Sequence, residues 1–225
     1  MSSPTPNVPI PASHKELFTT LSHFVKDYMS KYDMSHDYQH ILRVLSNAHR
    51  ILLSEQKAHP ETIYDPTTIY FAALLHDVGD KKYAKPGEDV GQIVYNVLKD
   101  RGADAEFAHK IQTIVTHVSY TNEVTNPQSV TDVLATYPEL AVVQDADRLD
   151  AIGAIGVARC FAFSGAKRQG EEMGVAIQHF GEKLLRLPGM MKTGTGREMA
   201  GRRKEILEEF RKEFKDEAKL SFDLV

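Results

Sequence analysis

The stretch from Phe71 to Lys82 reads FAALLHDVGDKK: an apolar run enters His76 and Asp77, and a burst of charge, Asp80-Lys81-Lys82, follows. An imidazole beside a carboxylate at the end of a packed helix begins a site for Zn, Mn, Fe or, through the oxygen, Mg. Two ligands do not close a site, and two other places offer more. His36 and His40 stand one turn apart on one helix face, with Arg43 just beyond. Asp147 lies in VVQDADRLD (142–150), where acids interrupt an apolar run and are costly to bury unless paired or metal-bound. His40, His76, Asp77 and Asp147 are therefore candidates for one metal ion. Each alone says little, because a lone helical histidine is far more often a satisfied or exposed side chain.

The elements that must position these residues read as helices. Ser13 to Glu16 is a capping box, S-x-x-E, ahead of the stripe Leu17, Leu21, Phe24, Val25 and Tyr28. Asp33 or Ser35 can cap a second helix carrying Ile41, Val44, Leu45, Ala48, Ile51 and Leu52, closed by His59-Pro60. Asp65-Pro66 is a strong start for a third helix that ends at His76-Asp77. Further helices are expected over 88–99, from an Asp104 cap to Val118, over 172–187 and from Arg197 to about Leu220, with a loop over 122–129 and a short helix or turn from Val130 to Tyr137. Residues 138–158 read as a buried helix or helix pair, and Gly153 and Gly156 would allow close helix approach, within a monomer or across a homodimer. No strand pattern stands out, although 111–118 is β-branched. The expectation is one all-α domain over 13–225, of roughly eight to ten helices, behind a disordered leader over 1–12.

The 225 residues are 42% hydrophobic and 26% charged, with net charge −4. That balance suits a globular chain and argues against one that coats nucleic acid. The single cysteine, Cys160, excludes an intrachain disulfide and a Cys-rich zinc site, and its apolar surroundings suggest a buried, inert thiol. No run is long and apolar enough to predict a membrane span. The proline-rich start, with Pro4, Pro6, Pro9 and Pro11, does not look like a targeting peptide, so a cytoplasmic location, or a nuclear one, is expected.

Together the motifs resemble the HD-domain superfamily of metal-dependent phosphohydrolases, whose pattern is H…HD…D. His40-Ile41-Leu42-Arg43-Val44 matches the first motif, Ala72 to Gly79 (AALLHDVG) the central one, and Ala146-Asp147-Arg148-Leu149 the last. The segment IGAIGVARCFAF, with His179, Lys183 and a Thr-Gly-Arg turn before the last helix, is similar to small stand-alone HD hydrolases of bacteria and fungi.

The resemblance implies His40, His76, Asp77 and Asp147 as ligands of one divalent ion, with Mn, Fe, Co, Ni, Zn or Mg left open. It implies hydrolysis of a small phosphorylated molecule, most specifically a nucleoside triphosphate split into monophosphate and pyrophosphate. Asp80 would serve as general acid or base, or as a cap; Lys81 would hold phosphate, or be a solvated lysine. Arg43 and Arg148 would hold substrate or orient the metal carboxylates. His36 would face the substrate or sit behind the ligands. His117 falls where two-metal members place extra histidines, but a substrate contact suits a single histidine better. His179 and Lys183 share a helix face and would complete a phosphate pocket, or form a surface pair. Arg202-Arg203-Lys204 reads as a solvated helix face. Two alternatives remain: a di-iron oxygenase, and a nucleotide-sensing module without turnover.

Overall fold

The computed structural model describes residues 5–79 and 91–222, and every regular element among them is helical. In chain order these are α1 (Ala12–Met29), α2 (Tyr38–Ala58), α3 (Pro66–Leu75), α4 (Ile93–Lys99), α5 (Ala105–Thr116), α6 (Tyr120–Thr125), α7 (Pro127–Thr136), α8 (Glu139–Asp150), α9 (Gly153–Lys167), α10 (Gly174–Glu182) and α11 (Gly194–Glu217). Single 3-10 segments cover Met34–His36 and Leu184–Met190.

The centre of the fold is α3. Every residue from Thr67 to Leu75 is buried, so this helix has no solvent face and is covered on all sides. Its start is the expected one: Asp65 accepts from the Thr67 amide at 2.9 Å and Pro66 opens the first turn. Phe71 stacks edge-on against Phe18 of α1 and Phe107 of α5, with ring centroids 5.2 and 5.1 Å apart. Helices α2 and α8 pack on α3 and on each other, bringing the three carriers of the metal motif together.

Several boundaries differ from the sequence reading, each for a local reason. Helix α1 begins at Ala12 after Pro11, without a side-chain cap, and Ser13 Oγ meets His14 instead of closing a capping box. Helix α2 is capped by Asp37, which accepts from the His40 amide at 3.0 Å, while Asp33 caps the preceding 3-10 turn. The polar segment expected as a loop over 122–129 holds α6 and the start of α7. Ser119 caps the first, and Pro127 opens the second. These short helices carry the number past the expected range. The helix expected over 172–187 breaks after Glu182 into the 3-10 segment containing Pro188.

Residues 138–158 do form a helix pair, bent by 70° between α8 and α9. Gly153 takes φ +73° at the bend, and a Cβ on Gly156 would lie 2.3 Å from the Ala151 carbonyl oxygen. The close approach these glycines allow is thus made inside the chain. Arg203, expected in solvent, turns inward to the Leu149 carbonyl and Asn47, whereas Arg202 and Lys204 form surface pairs with Glu205 and Glu208. Among the described residues no single helix is long and apolar enough to cross a membrane.

Candidate metal centre

Three acids of α8 point in three directions, and their different partners build the site. Asp145 is wholly buried and accepts from the amides of Lys192 and Thr193 and from the Thr193 hydroxyl, at 2.7–3.1 Å. Burial pushes its carboxyl pKa up despite these donors. With Glu55 of α2, which accepts from the Thr195 amide at 2.8 Å, it grips the first turn of α11. Glu55 meets an unpaired amide of the first turn, while Asp145 fixes the cap residue Thr193 and the residue before it.

Asp147 faces the other way, toward α2 and α3. Its Oδ1 lies 3.6 Å from His40 Nε2 and 3.7 Å from His76 Nε2. Asp77 joins from the turn after α3, with Oδ2 3.2 Å from His40 Nε2 and Oδ1 3.5 Å from His76 Nε2. The two Nε2 atoms are 3.1 Å apart. His40, His76 and Asp147 therefore gather around one point, and Asp77 lies against both rings through its two different oxygens. Asp147 is the most open of them, its side chain 28% exposed, so the site is reached from that side.

The donor set fits a cation on its own chemistry. His40 Nδ1 donates to Asp150 Oδ2 at 2.8 Å, and His76 Nδ1 donates to the Ala73 carbonyl at 2.9 Å. With both Nδ1 protons committed, both Nε2 atoms turn lone pairs toward each other. Asp77 Oδ2 is buried without a hydrogen-bond partner. Lone pairs and an unpaired carboxylate oxygen at such spacing repel unless a positive charge lies among them. Ligand atoms each about 2.1 Å from one ion stand roughly 3.0–3.5 Å apart, close to the spacings here. Mixed nitrogen and oxygen donors suit Mn, Fe, Co, Ni or Zn.

The electrostatics agree. Burial opposes a charged imidazolium at His76, yet Asp77 and Asp147 together raise it to about 9. Burial likewise opposes ionisation of Asp77 and Asp147, but the neighbouring imidazoles outweigh it and hold both below the ordinary carboxylate range. A proton thus occupies the place that a metal ion suits, and the two compete for it.

Asp150, the third acid, lies behind His40. It takes two hydrogen bonds from Arg43 (Nε 2.7 Å and a terminal nitrogen 3.0 Å) and one from Arg159 at 3.0 Å. Burial would raise its pKa, but His40 and Arg43, then Arg159, hold it at about 2. The sequence reading missed Asp150. A signal was present, because His40 and Arg43 on α2 have the same spacing as Asp147 and Asp150 on the facing helix.

The other expected site residues lie as follows. His36 sits in the 3-10 turn before α2, its ring 6.1 Å from that of His40. Arg43 is one layer behind the cluster, on Asp150. Arg148 is buried and reaches away from the ligands to Glu123 and the Met190 carbonyl. Lys192 binds the same Glu123 at 2.6 Å, and these cations hold that carboxyl low against the effect of burial. His117 is fastened by the Thr113 carbonyl at 2.7 Å and Ser129 Oγ at 2.8 Å. His179 is half-buried within 3.8 Å of Glu182, and Lys183 lies 5.2 Å over the Tyr120 ring. Tyr95 packs on the core. Cys160 is half-buried near the Ala176 carbonyl, its pKa raised by burial. Asp80, Lys81 and Tyr83 lie outside the described residues.

Comparison with known proteins bears on the same residues. The family model described as HD domain matches residues 37–152, which span α2 to the end of α8. The YpgQ protein of Bacillus subtilis (strain 168) is 35% identical over 193 residues, 83% of this chain and 86% of its own. The crystal structure of Bacillus subtilis YpgQ in complex with ADP superposes with a TM-score of 0.64 at 33% identity, covering 88% of this chain and 93% of the other. An HD-superfamily hydrolase from Bacillus thuringiensis superposes with a TM-score of 0.64 at 30% identity, covering 91% and 99%. The match begins at the Asp37 cap that sets His40 in place and ends just past Asp150, so the chain belongs to the HD-domain family.

Proposed function

We propose that this protein is a divalent-metal phosphohydrolase acting on a nucleotide, and that the bond it breaks is the α–β anhydride of a nucleoside triphosphate. The observation that carries the reading is the pair of facing Nε2 lone pairs beside the partnerless Asp77 oxygen. The structure of Bacillus subtilis YpgQ with ADP supports a nucleotide as the ligand class. The family supports the hydrolase class.

His40, His76, Asp77 and Asp147 would hold the ion, which supplies Lewis acidity toward a phosphoryl oxygen and acidifies a water molecule. The chain's own residues do the rest. Asp150 keeps the His40 proton on Nδ1, and the Ala73 carbonyl does the same for His76, so both rings present Nε2 to the site. The open side at Asp147 admits the phosphate chain. His36, its ring 6.1 Å from that of His40, would hydrogen-bond substrate. Asp80 as acid or base, Lys81 as phosphate ligand, and substrate contacts by His179 and Lys183 belong to the same proposal, while Arg43 orients Asp150 behind His40, and Arg148 and His117 are held by neighbouring helices instead of substrate. The grip of Thr113 and Ser129 on His117 supports a single ion over a di-iron site.

The test is product release from a panel of nucleotides, using metal-stripped protein resupplied with Mn²⁺, Mg²⁺, Co²⁺, Fe²⁺ or Zn²⁺. The expected result is pyrophosphate from triphosphates, abolished by Asp77→Ala. Orthophosphate alone would keep the class and move the bond. No release with any metal would overturn the proposal.

A further inference from the structure

Arg159 of α9 joins two parts of the molecule that the metal motif treats separately. Its Nε donates to the Ser35 carbonyl at 2.6 Å, and a terminal nitrogen donates to Asp150 Oδ2 at 3.0 Å. The same Asp150 oxygen takes the His40 Nδ1 proton. A continuous chain therefore runs from the ring of His40 through Asp150 and Arg159 to the turn that carries His36. We propose that Arg159 is a positioning residue that makes this turn and the metal-binding ring of His40 move as one unit.

The turn itself is built to fix His36. Asp33 Oδ1 accepts both the amide and the hydroxyl of Ser35. Having given its one proton to Asp33, Ser35 Oγ can only accept in its 2.6 Å contact with His36 Nδ1, so the imidazole donates there. Ser35 is 1% exposed, so a movement of its carbonyl moves the Asp33–Ser35–His36 string with it. A guanidinium suits the junction because its planar fork spans two acceptors at fixed angles; a lysine ammonium is a point charge on a flexible stem. The bend at Gly153 and the close approach at Gly156 bring α9 back over the turn.

The inference rests on the metal-site reading above, and the experiment separates the two. Mn²⁺ is titrated calorimetrically into the full chain, and amide hydrogen exchange over residues 33–40 and 73–79 is followed with and without Mn²⁺. The measurements are repeated on Arg159→Ala and on Arg159→Lys, which keeps the charge and the helix. In the unsubstituted protein Mn²⁺ is expected to slow exchange in both segments. In the variants affinity should fall by about tenfold, the range for groups that orient metal ligands. Saturating Mn²⁺ should then still protect residues 73–79 but no longer the 33–37 turn. Turn protection equal to that of the unsubstituted protein in either variant would overturn the inference, as would unsubstituted protein that binds Mn²⁺ without protecting the turn. Absence of Mn²⁺ binding to unsubstituted protein would instead overturn the metal-site reading, before any variant is compared.

Discussion

Replacing Asp150 by Asn keeps the shape of the group behind His40 and removes the charge that selects its tautomer. The amide can offer its nitrogen to His40 Nδ1 as readily as its oxygen, and two arginines lose their anion. Metal affinity is expected to fall by about 10–100-fold, measured by competition with a chromogenic chelator, with the helical circular-dichroism signal retained. His76 makes a pH prediction for the metal-free chain. Its folded-state pKa, about 9, is above the ordinary 6.5, so its contribution to stability is full below about 6.5 and disappears as pH rises through about 9. Urea unfolding in the presence of chelator should therefore show stability declining across that window, and a flat profile would contradict the assignment. Mn²⁺ affinity should rise over the same window as the competing proton leaves.

Helix α11 depends on how two buried carboxylates grip its first turn. A Cβ on Gly196 would lie 2.3 Å from Asp145 Oδ2, so Gly196→Ala must displace either the turn or the acid. A cost of about 1–3 kcal/mol is expected from such overpacking, read as a lower urea midpoint with unchanged slope. Helices with a cap and an apolar stripe were legible from the sequence: α3 from Asp65-Pro66 and α5 from Asp104. The cluster of His40, His76 and Asp147 was legible because its motif residues and spacing form a recognisable set. Helix α6 and the first turn of α7 were hidden because their residues are polar and mostly exposed, leaving no apolar period to read. The aim of Arg148 was hidden for another reason. Successive side chains on a helix diverge by about 100°, so the residue after a ligand need not face the site, and only the docking of α6 and the 190–193 segment shows what it meets.

At the scale of the whole molecule, a bound ion would tie α2, α3 and α8 at the point where they meet. Saturating metal should raise the melting temperature: at a hundredfold excess over Kd the added stability is about 2.7 kcal/mol. Differential scanning fluorimetry with Mn²⁺ and with chelator checks this, and Asp77→Ala should erase the difference. The distance of the ligands along the chain has a consequence for time as well as for stability. His40 and His76 are 36 residues apart, and Asp147 stands 107 residues after His40. Loops of that length are slow to close, so the expectation is that the site is completed on the native side of the folding barrier. Contacts made after the barrier leave the refolding rate alone and slow escape from the native state. The ion would thus act as a latch on a door already shut: stopped-flow refolding should be the same with and without metal, while unfolding in denaturant should be slower in its presence.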